Sequence, residues 1–321
     1  MKAIFYDRYG SPDVLELREI DKPVPGSGEV LVKVSAASVN PYDHHFLTGT
    51  PYILRAMAGL RRPKQNVLGI DFSGVVEAVG ANVEGLQVGD EVFGMRSGAF
   101  AEYLCVAEVV AKKPANLTFA QAAAVPMAAL TALQGLRDKG EIQAGQKVLV
   151  NGASGGVGTF AVQIAKAFGA EVTGVCSTPN VEMVRALGAD HIIDYTKVDY
   201  THSGRQYDLI LDTSATRSFP DRMRVMTPTG TLVEVGGPID RWAIGYLTSD
   251  LKMRLARRSG TRKLTGMLAT ANRPDLVTVA DLLAAGKIAP VIERTYALAD
   301  APRALAHVGE GHARGKTVLT V

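Results

Sequence analysis

Thiols are scarce in this chain. Its 321 residues include only Cys105 and Cys176, far apart and without C-x-x-C spacing, which excludes a disulfide framework and a four-cysteine zinc lobe. Net charge is scarce too. The 35 Lys and Arg stand against 32 Asp and Glu, which makes no whole-chain case for a nucleic acid or a membrane surface as partner. Long apolar runs are missing: the most apolar stretch, 120–136, is broken by Gln121, Pro126 and Gln134 and does not read as a membrane span. Asp7 and Arg8 precede any such run, so no signal peptide is visible and a cytoplasmic protein is expected. What remains is 47% apolar and 21% charged residues, near globular averages, at a length that predicts about two domains.

The chain is organised around Val148-Leu149-Val150-Asn151-Gly152-Ala153-Ser154-Gly155-Gly156-Val157-Gly158. A β-branched run feeds a glycine-rich turn, and Val157, Ala161, Ile164, Ala165 and Phe168 follow at helical spacing. Strand, turn and helix in that order make a dinucleotide cradle, because glycines admit close backbone approach and a helix N-terminus favours a pyrophosphate. The glycines fall as G-x-x-G-x-x-G at Gly152, Gly155 and Gly158, a variant of the commoner G-x-G-x-x-G. A second strand at 171–175 completes the βαβ unit.

Residues 1–118 read as short alternating strands separated by turns, with little helical periodicity, which predicts a rolled-up, barrel-like domain. From about Thr118 helices alternate with strands, which predicts a doubly wound parallel sheet of α/β class. Strand ends such as Asp212-Thr213-Ser214 and Gly236-Gly237-Pro238 then lie where such sheets bind ligands. A basic run, Lys252, Arg254, Arg257, Arg258, Arg262 and Lys263, reads as a solvated helix face or as a landing site for an anionic substrate.

Several motifs add a resemblance. Asn40-Pro41-Tyr42-Asp43 resembles an N-x-x-D turn, and 68–80 a G-x-D-x-x-G-x-V-x-x-x-G strand pair. Val88-Gly89-Asp90-Glu91-Val92-Phe93-Gly94, Val125-Pro126 with 130–133, and Gly315-Lys316 are similar to further signatures of one family. Their order and spacing resemble the zinc-independent quinone oxidoreductase branch of the medium-chain dehydrogenase/reductases, which includes zeta-crystallin. The resemblance implies a chaperonin-10-like β-rich domain at 1–118 and 271–321, a Rossmann domain inserted at 119–270, a cofactor cleft and a homodimer.

In zinc-using relatives the first ligand is a cysteine and the second the histidine of a G-H-E stretch. Here 35–40 holds no thiol and Gly69-Ile70-Asp71 replaces the histidine, so no metal site is expected. Without a Lewis acid the expected chemistry is hydride delivery to a quinone or an α,β-unsaturated carbonyl. Such a reduction gathers negative charge on a carbonyl oxygen and needs a hydrogen-bond or proton donor. The candidates are Asn40, His45 and Tyr52. Asn40 also suits an Asx turn, and Tyr52 a packed aromatic.

Around the cofactor the expected contacts are Thr131, Gly152, Ser154, Gly155, Gly156, Val157, Gly158, Ser177, Thr178, Asn180, Tyr195, Gly236 and Lys316. No acidic residue closes the second strand at 175–180, which favours NADPH over NADH, with Arg185 or another nearby cation for the 2′-phosphate. The alternatives are an enoyl-thioester reductase, for which the basic run would bind a phosphate-bearing carrier, and a cofactor-binding protein without turnover.

Overall fold

A computed structural model describes residues 1–236, 261–311 and 313–321. The chain forms two compact units: Met1–Leu130 with Ala271–Gly286 and Pro290–Val321, and Thr131–Thr270 with Lys287–Ala289.

The first unit opens with β1 (Lys2–Phe5) antiparallel to β2 (Glu16–Glu19). The long β3 (Val30–Val39) is buried along both faces except at Lys33 and Ser35. Helices α1 (Pro41–Thr48) and α2 (Leu54–Ala58) follow, then β4 (Asp71–Val79), β5 (Glu91–Met95), β6 (Tyr103–Val106) and β7 (Val110–Lys112). Next come α3 (Phe119–Ala123) and α4 (Pro126–Gln134). Helix α1 departs from the strand-only expectation for this region. Its start was legible: Asn40 at the N-cap, Pro41 in the first turn and Asp43 three residues on are start signals, and the Asn40 N–H donates to Asp43 Oδ2 at 2.8 Å.

The second unit alternates β8 (Lys147–Asn151), α5 (Gly156–Ala167), β9 (Glu171–Cys176), α6 (Val181–Ala186), β10 (His191–Asp194), β11 (Tyr207–Asp212), α7 (Phe219–Arg224), β12 (Met226–Val235) and β13 (Lys263–Met267). The strands are parallel and ordered β10-β9-β8-β11-β12-β13. Relabelled within the unit this is 3-2-1-4-5-6, the Rossmann order, and it puts the β8 turn at the point where the winding reverses.

The chain then returns to the first unit through α8 (Arg273–Ala284), β14 (Ile292–Ala297), α9 (Ala301–Gly309) and β15 (Lys316–Thr320). There the sheet runs β14-β15-β3-β4-β5-β7, with β6 also on β3. Apolar residues of β1, β3, β4, β5 and α9, including Ile4, Val32, Phe72, Val92 and Leu305, fill its core.

The expected domain limits shift at two places. Residues 119–130 belong with the first unit, where α3 packs on β3 and β4 and Ser73 Oγ donates to the Phe119 carbonyl at 2.6 Å. Lys287–Ala289 belongs with the second, because the Gln163 amide clasps Ala289, donating to its carbonyl at 2.9 Å and accepting from its N–H at 2.8 Å. The helical stretch that opens at Phe119 comes in two pieces, α3 and α4, with Pro126 starting the second. Gly237, Pro238, Lys252, Arg254, Arg257 and Arg258 lie outside the described residues.

The ends of β8, β11 and β12 are tied by a buried ionic knot. Asn151, Asp212 and Glu234 stand in register across the sheet. Arg222 of α7 donates to Asp212 Oδ2 at 3.0 Å and to Glu234 Oε2 at 2.6 Å, and Asn151 Nδ2 donates to Asp212 Oδ1 at 2.8 Å. Removing one partner from such a pair strands a buried charge. Arg222→Met is therefore expected to cost about 3–5 kcal/mol, measured by urea denaturation, with part recovered when Glu234→Gln is added. An unchanged midpoint would show that the knot is dispensable.

Candidate active site

Each glycine of the cradle has its own steric reason. Gly152 has φ +83°, and a Cβ there would stand 2.3 Å from Thr213 Oγ1. At Gly158 a Cβ would stand 2.0 Å from the Gly152 carbonyl oxygen, so turn and helix can touch only through glycine. Gly155 is the N-cap of α5, and the first helical bond runs from the Thr159 N–H to its carbonyl at 2.9 Å. The N–H groups of Gly156, Val157 and Gly158 thus precede the helical ladder, the arrangement that receives phosphate oxygens. Ser154, Gly155, Gly156 and Val157 are half-buried and so remain reachable from solvent. These features fit a dinucleotide diphosphate.

At the end of β9, Ser177 precedes a single 3₁₀ turn, and the Asn180 amide donates to its hydroxyl at 3.0 Å. Thr178 is committed elsewhere: its hydroxyl donates to Asp194 at 2.6 Å and meets Thr196 at 2.9 Å. Asp194 was missed from the sequence because it closes β10 rather than β9, yet the parallel register sets it opposite Cys176. The Thr178 hydroxyl, then Thr196 and Lys197, hold its carboxyl down to about 2. Lys197, 3.5 Å from Asp194, is the cation of this corner, whereas Arg185 pairs with Glu182. Tyr195 beside them is exposed. Gly236, at φ +76°, follows β12 with open space at its Cα, and Thr131 is buried on α4.

In the first unit the motif residues converge on a second knot. Asp71, fully buried, accepts from Ser38 Oγ and Asn40 Nδ2, each at 3.0 Å, and from the Met127 N–H of α4 at 3.1 Å. Lys316 Nζ donates to Asn40 Oδ1 and lies 3.9 Å from Asp71. Burial depresses the Lys316 ammonium despite Asp71 and Asp43 nearby. Burial likewise raises the Asp71 carboxyl and pushes Asp43 up to about 7, where the Asn40 N–H and Lys316 pull down and Asp71 pushes up. Desolvation therefore outweighs the attraction within the group.

Two expectations change here. Asn40 is 2% exposed, and its amide is spent on Ser38, Asp71 and Lys316, leaving no hydrogen for a substrate. It caps α1 and is the hub of the knot. Lys316 is buried with its ammonium turned to Asn40 and Asp71, a structural partnership beyond the cofactor contact expected of it. Its role was hidden because it stands 276 residues from Asn40 in sequence.

His45 and Tyr52 lie near this loop. Burial, then the neighbouring His44, lowers the His45 imidazole, and its Nδ1 is enclosed without a partner. Tyr52 is half-buried, its ring 4.8 Å beneath the Arg55 guanidinium. Among the described residues, no three His, Cys, Asp or Glu side chains are grouped as a metal would need, and no helix is long and apolar enough to cross a membrane.

Fold, glycine cradle and motif order together define a medium-chain dehydrogenase/reductase. The alcohol dehydrogenase GroES-like domain matches residues 26–115, and the zinc-binding dehydrogenase family matches residues 187–319. The chain belongs to this family, in its quinone oxidoreductase branch. It is 36% identical to the mouse mitochondrial NAD(P)H oxidoreductase RTN4IP1, over 100% of this chain and 89% of that protein. It is 32% identical to the chloroplastic NADPH-dependent alkenal/one oxidoreductase of Arabidopsis thaliana, over 99% of this chain and 79% of that one. The solved quinone oxidoreductase of Coxiella burnetii superposes with a TM-score of 0.88 at 31% identity, covering 100% and 99% of the two chains. The cytoplasmic expectation does not stand: relatives that match the whole chain carry mitochondrial and chloroplast names.

The folded state holds the Asp43 proton, with its pKa near 7, more tightly than the unfolded chain does. Stability from the protonated form is complete below about pH 4 and is lost as pH rises through about 7. Asp43→Asn keeps an acceptor for the Asn40 N–H but cannot ionise. Relative to wild type, its melting midpoint is expected to climb by several degrees across that window. A constant difference in calorimetry at each pH would refute the assignment.

Proposed function

We propose that this chain is a zinc-independent, NADPH-dependent reductase, acting as a homodimer, that passes hydride to a quinone or an α,β-unsaturated carbonyl. The carrying observation is the Lys316 ammonium buried against Asn40 and Asp71. Asn40 and Asp71 lie in the two stretches that supply zinc ligands in other branches, and a dication there would have to share Asp71 with the Lys316 ammonium. NADPH dependence is supported by the cradle and by the name of the Arabidopsis relative; the quinone or enone class is supported by the names of the relatives.

NADPH bound in the cradle would supply the hydride. The N–H groups of Gly156, Val157 and Gly158 hold its diphosphate, and Ser177, Asn180, Tyr195 and Lys197 its 2′-phosphate. Thr131 and Gly236 serve its nicotinamide half. With Asn40 internally committed and His45 Nδ1 enclosed, the phenol of Tyr52 would supply the hydrogen bond or proton to the carbonyl oxygen as charge develops. The enoyl-thioester reading rested on the basic run, most of which lies outside the described residues.

The test follows NADPH absorbance with a simple quinone and a simple enone after chelator treatment. Chelator-resistant turnover is expected. Tyr52→Phe should lower enone kcat by about tenfold to a hundredfold, and Gly152→Ala should raise the KM for NADPH by about tenfold or more by displacing the turn. Activity lost to the chelator would overturn the zinc-free reading. NADPH binding without turnover of either acceptor would overturn the reductase.

A further inference from the structure

Residues 44–70 contain Arg55, Arg61, Arg62 and Lys64 and not one Asp or Glu. Whole-chain charge balance conceals this segment. In its middle, Ile53, Met57 and Leu60 are 62%, 76% and 74% exposed. Helical spacing at Leu54, Met57 and Leu60 reads as a pocket lining, yet Met57 and Leu60 face solvent. Single exposed apolar residues are commonplace, but three large ones within eight positions, bordered by one sign of charge, form an amphipathic surface.

The surface is held rigidly from beneath. Arg55 turns inward, stacked 4.5 Å from the Tyr9 ring and donating to the Gly49 carbonyl at 2.9 Å and the Thr48 carbonyl at 3.3 Å. Tyr9 donates its hydroxyl hydrogen to the Gly59 carbonyl at 2.5 Å. Gly59, at φ +122°, has the Arg62 carbonyl 2.0 Å from where a Cβ would sit, and the Lys64 N–H returns to the Ala58 carbonyl at 2.8 Å. That reversal sets Arg61, Arg62 and Lys64 beside the apolar residues. All three are exposed, with no acidic partner among the described residues.

We propose that this segment docks the protein on an anionic lipid bilayer, with Ile53, Met57 and Leu60 entering the headgroup region and Arg61, Arg62 and Lys64 meeting lipid phosphates. Charge complementarity selects this occupant: three exposed cations beside an exposed apolar stretch suit an anionic interface, whereas two copies meeting through it would bring like charges together. The purpose assigned to it rests on the quinone reading, since Tyr52 adjoins Ile53 and a long-chain quinone resides in lipid. The expectation of no membrane partner, drawn from whole-chain charge, is revised accordingly.

The test is flotation of the full chain with phosphatidylcholine vesicles, with and without about one third phosphatidylglycerol. Binding to the anionic vesicles alone, released at about 1 M salt, is expected. At about fivefold in partitioning per basic residue, Arg61→Glu with Arg62→Glu should weaken binding at least about tenfold. Turnover of a short water-soluble quinone should be unchanged. No flotation, or equal flotation of the variant, would overturn the proposal. So would a Met57→Glu, Leu60→Glu variant that becomes monomeric while the wild type, a dimer, ignores vesicles. Vesicle binding in a protein that reduces no quinone would instead sink the quinone reading and leave the docking surface standing.

Discussion

Taking an ammonium out of water costs several kcal/mol, and the first unit is arranged so that this cost is met at one place. Lys316 begins β15, Asn40 follows β3 and Asp71 begins β4, and these three strands are neighbours in the sheet. Pairing of Thr317 with Val39 and of Ser38 with Asp71 brings the strand ends level, so the buried charges meet only if the register is correct. Asp71 also accepts the Met127 N–H, and Asp43 accepts the Asn40 N–H at the start of α1. One buried cluster therefore sets the positions of two helix starts, of α4 and of α1, the helix that carries His45 and leads to Tyr52.

The second unit uses a comparable device with a different result. Arg222 meets Asp212 and Glu234 at the ends of strands flanking the glycine turn. Burial opposes its charge, but the two carboxylates at 3.0 and 2.6 Å together outweigh it, and its pKa rises. Asp212 also accepts the N–H groups of Ser214 and Ala215, at 3.1 and 2.8 Å. Those hydrogen bonds hold the loop whose Thr213 and Ser214 hydroxyls crowd Gly152, so the shape of the cradle depends on a charge buried beneath it.

Much of this was legible in the sequence because it is local. Gly152, Gly155 and Gly158 announce their turn by spacing, and the order of strands and helices announces a Rossmann sheet. The start of α1 was legible in Asn40-Pro41-Tyr42-Asp43 but was read as a turn. What escaped is non-local. Nothing near Lys316 in sequence says that its ammonium meets Asn40, nothing near Arg222 that it bridges β11 to β12, and nothing at the end of β9 that Asp194 arrives from the next strand. The 119–130 segment has helical composition, and its place with the β-rich unit follows from burial against β3 and β4 rather than from its own pattern.

The two knots differ in the chemistry they permit. Arginine stays protonated at any ordinary pH, and Arg222 Nη1 donates to both carboxylates, so the Arg222 knot is a fixed scaffold. Lysine yields its proton when poorly solvated, and Lys316 lies 3.9 Å from Asp71 with its hydrogen bond directed to a neutral amide. Its charge is thus incompletely compensated, which is why burial prevails over the carboxylates there and not at Arg222. With Asp43 near 7, the protonation of the first knot can respond close to neutrality. Exchanging the two cations would therefore not be conservative: an arginine at 316 would bring a larger, permanently charged group into the space of an ammonium, and a lysine at 222 would have to reach both carboxylates with a shorter side chain.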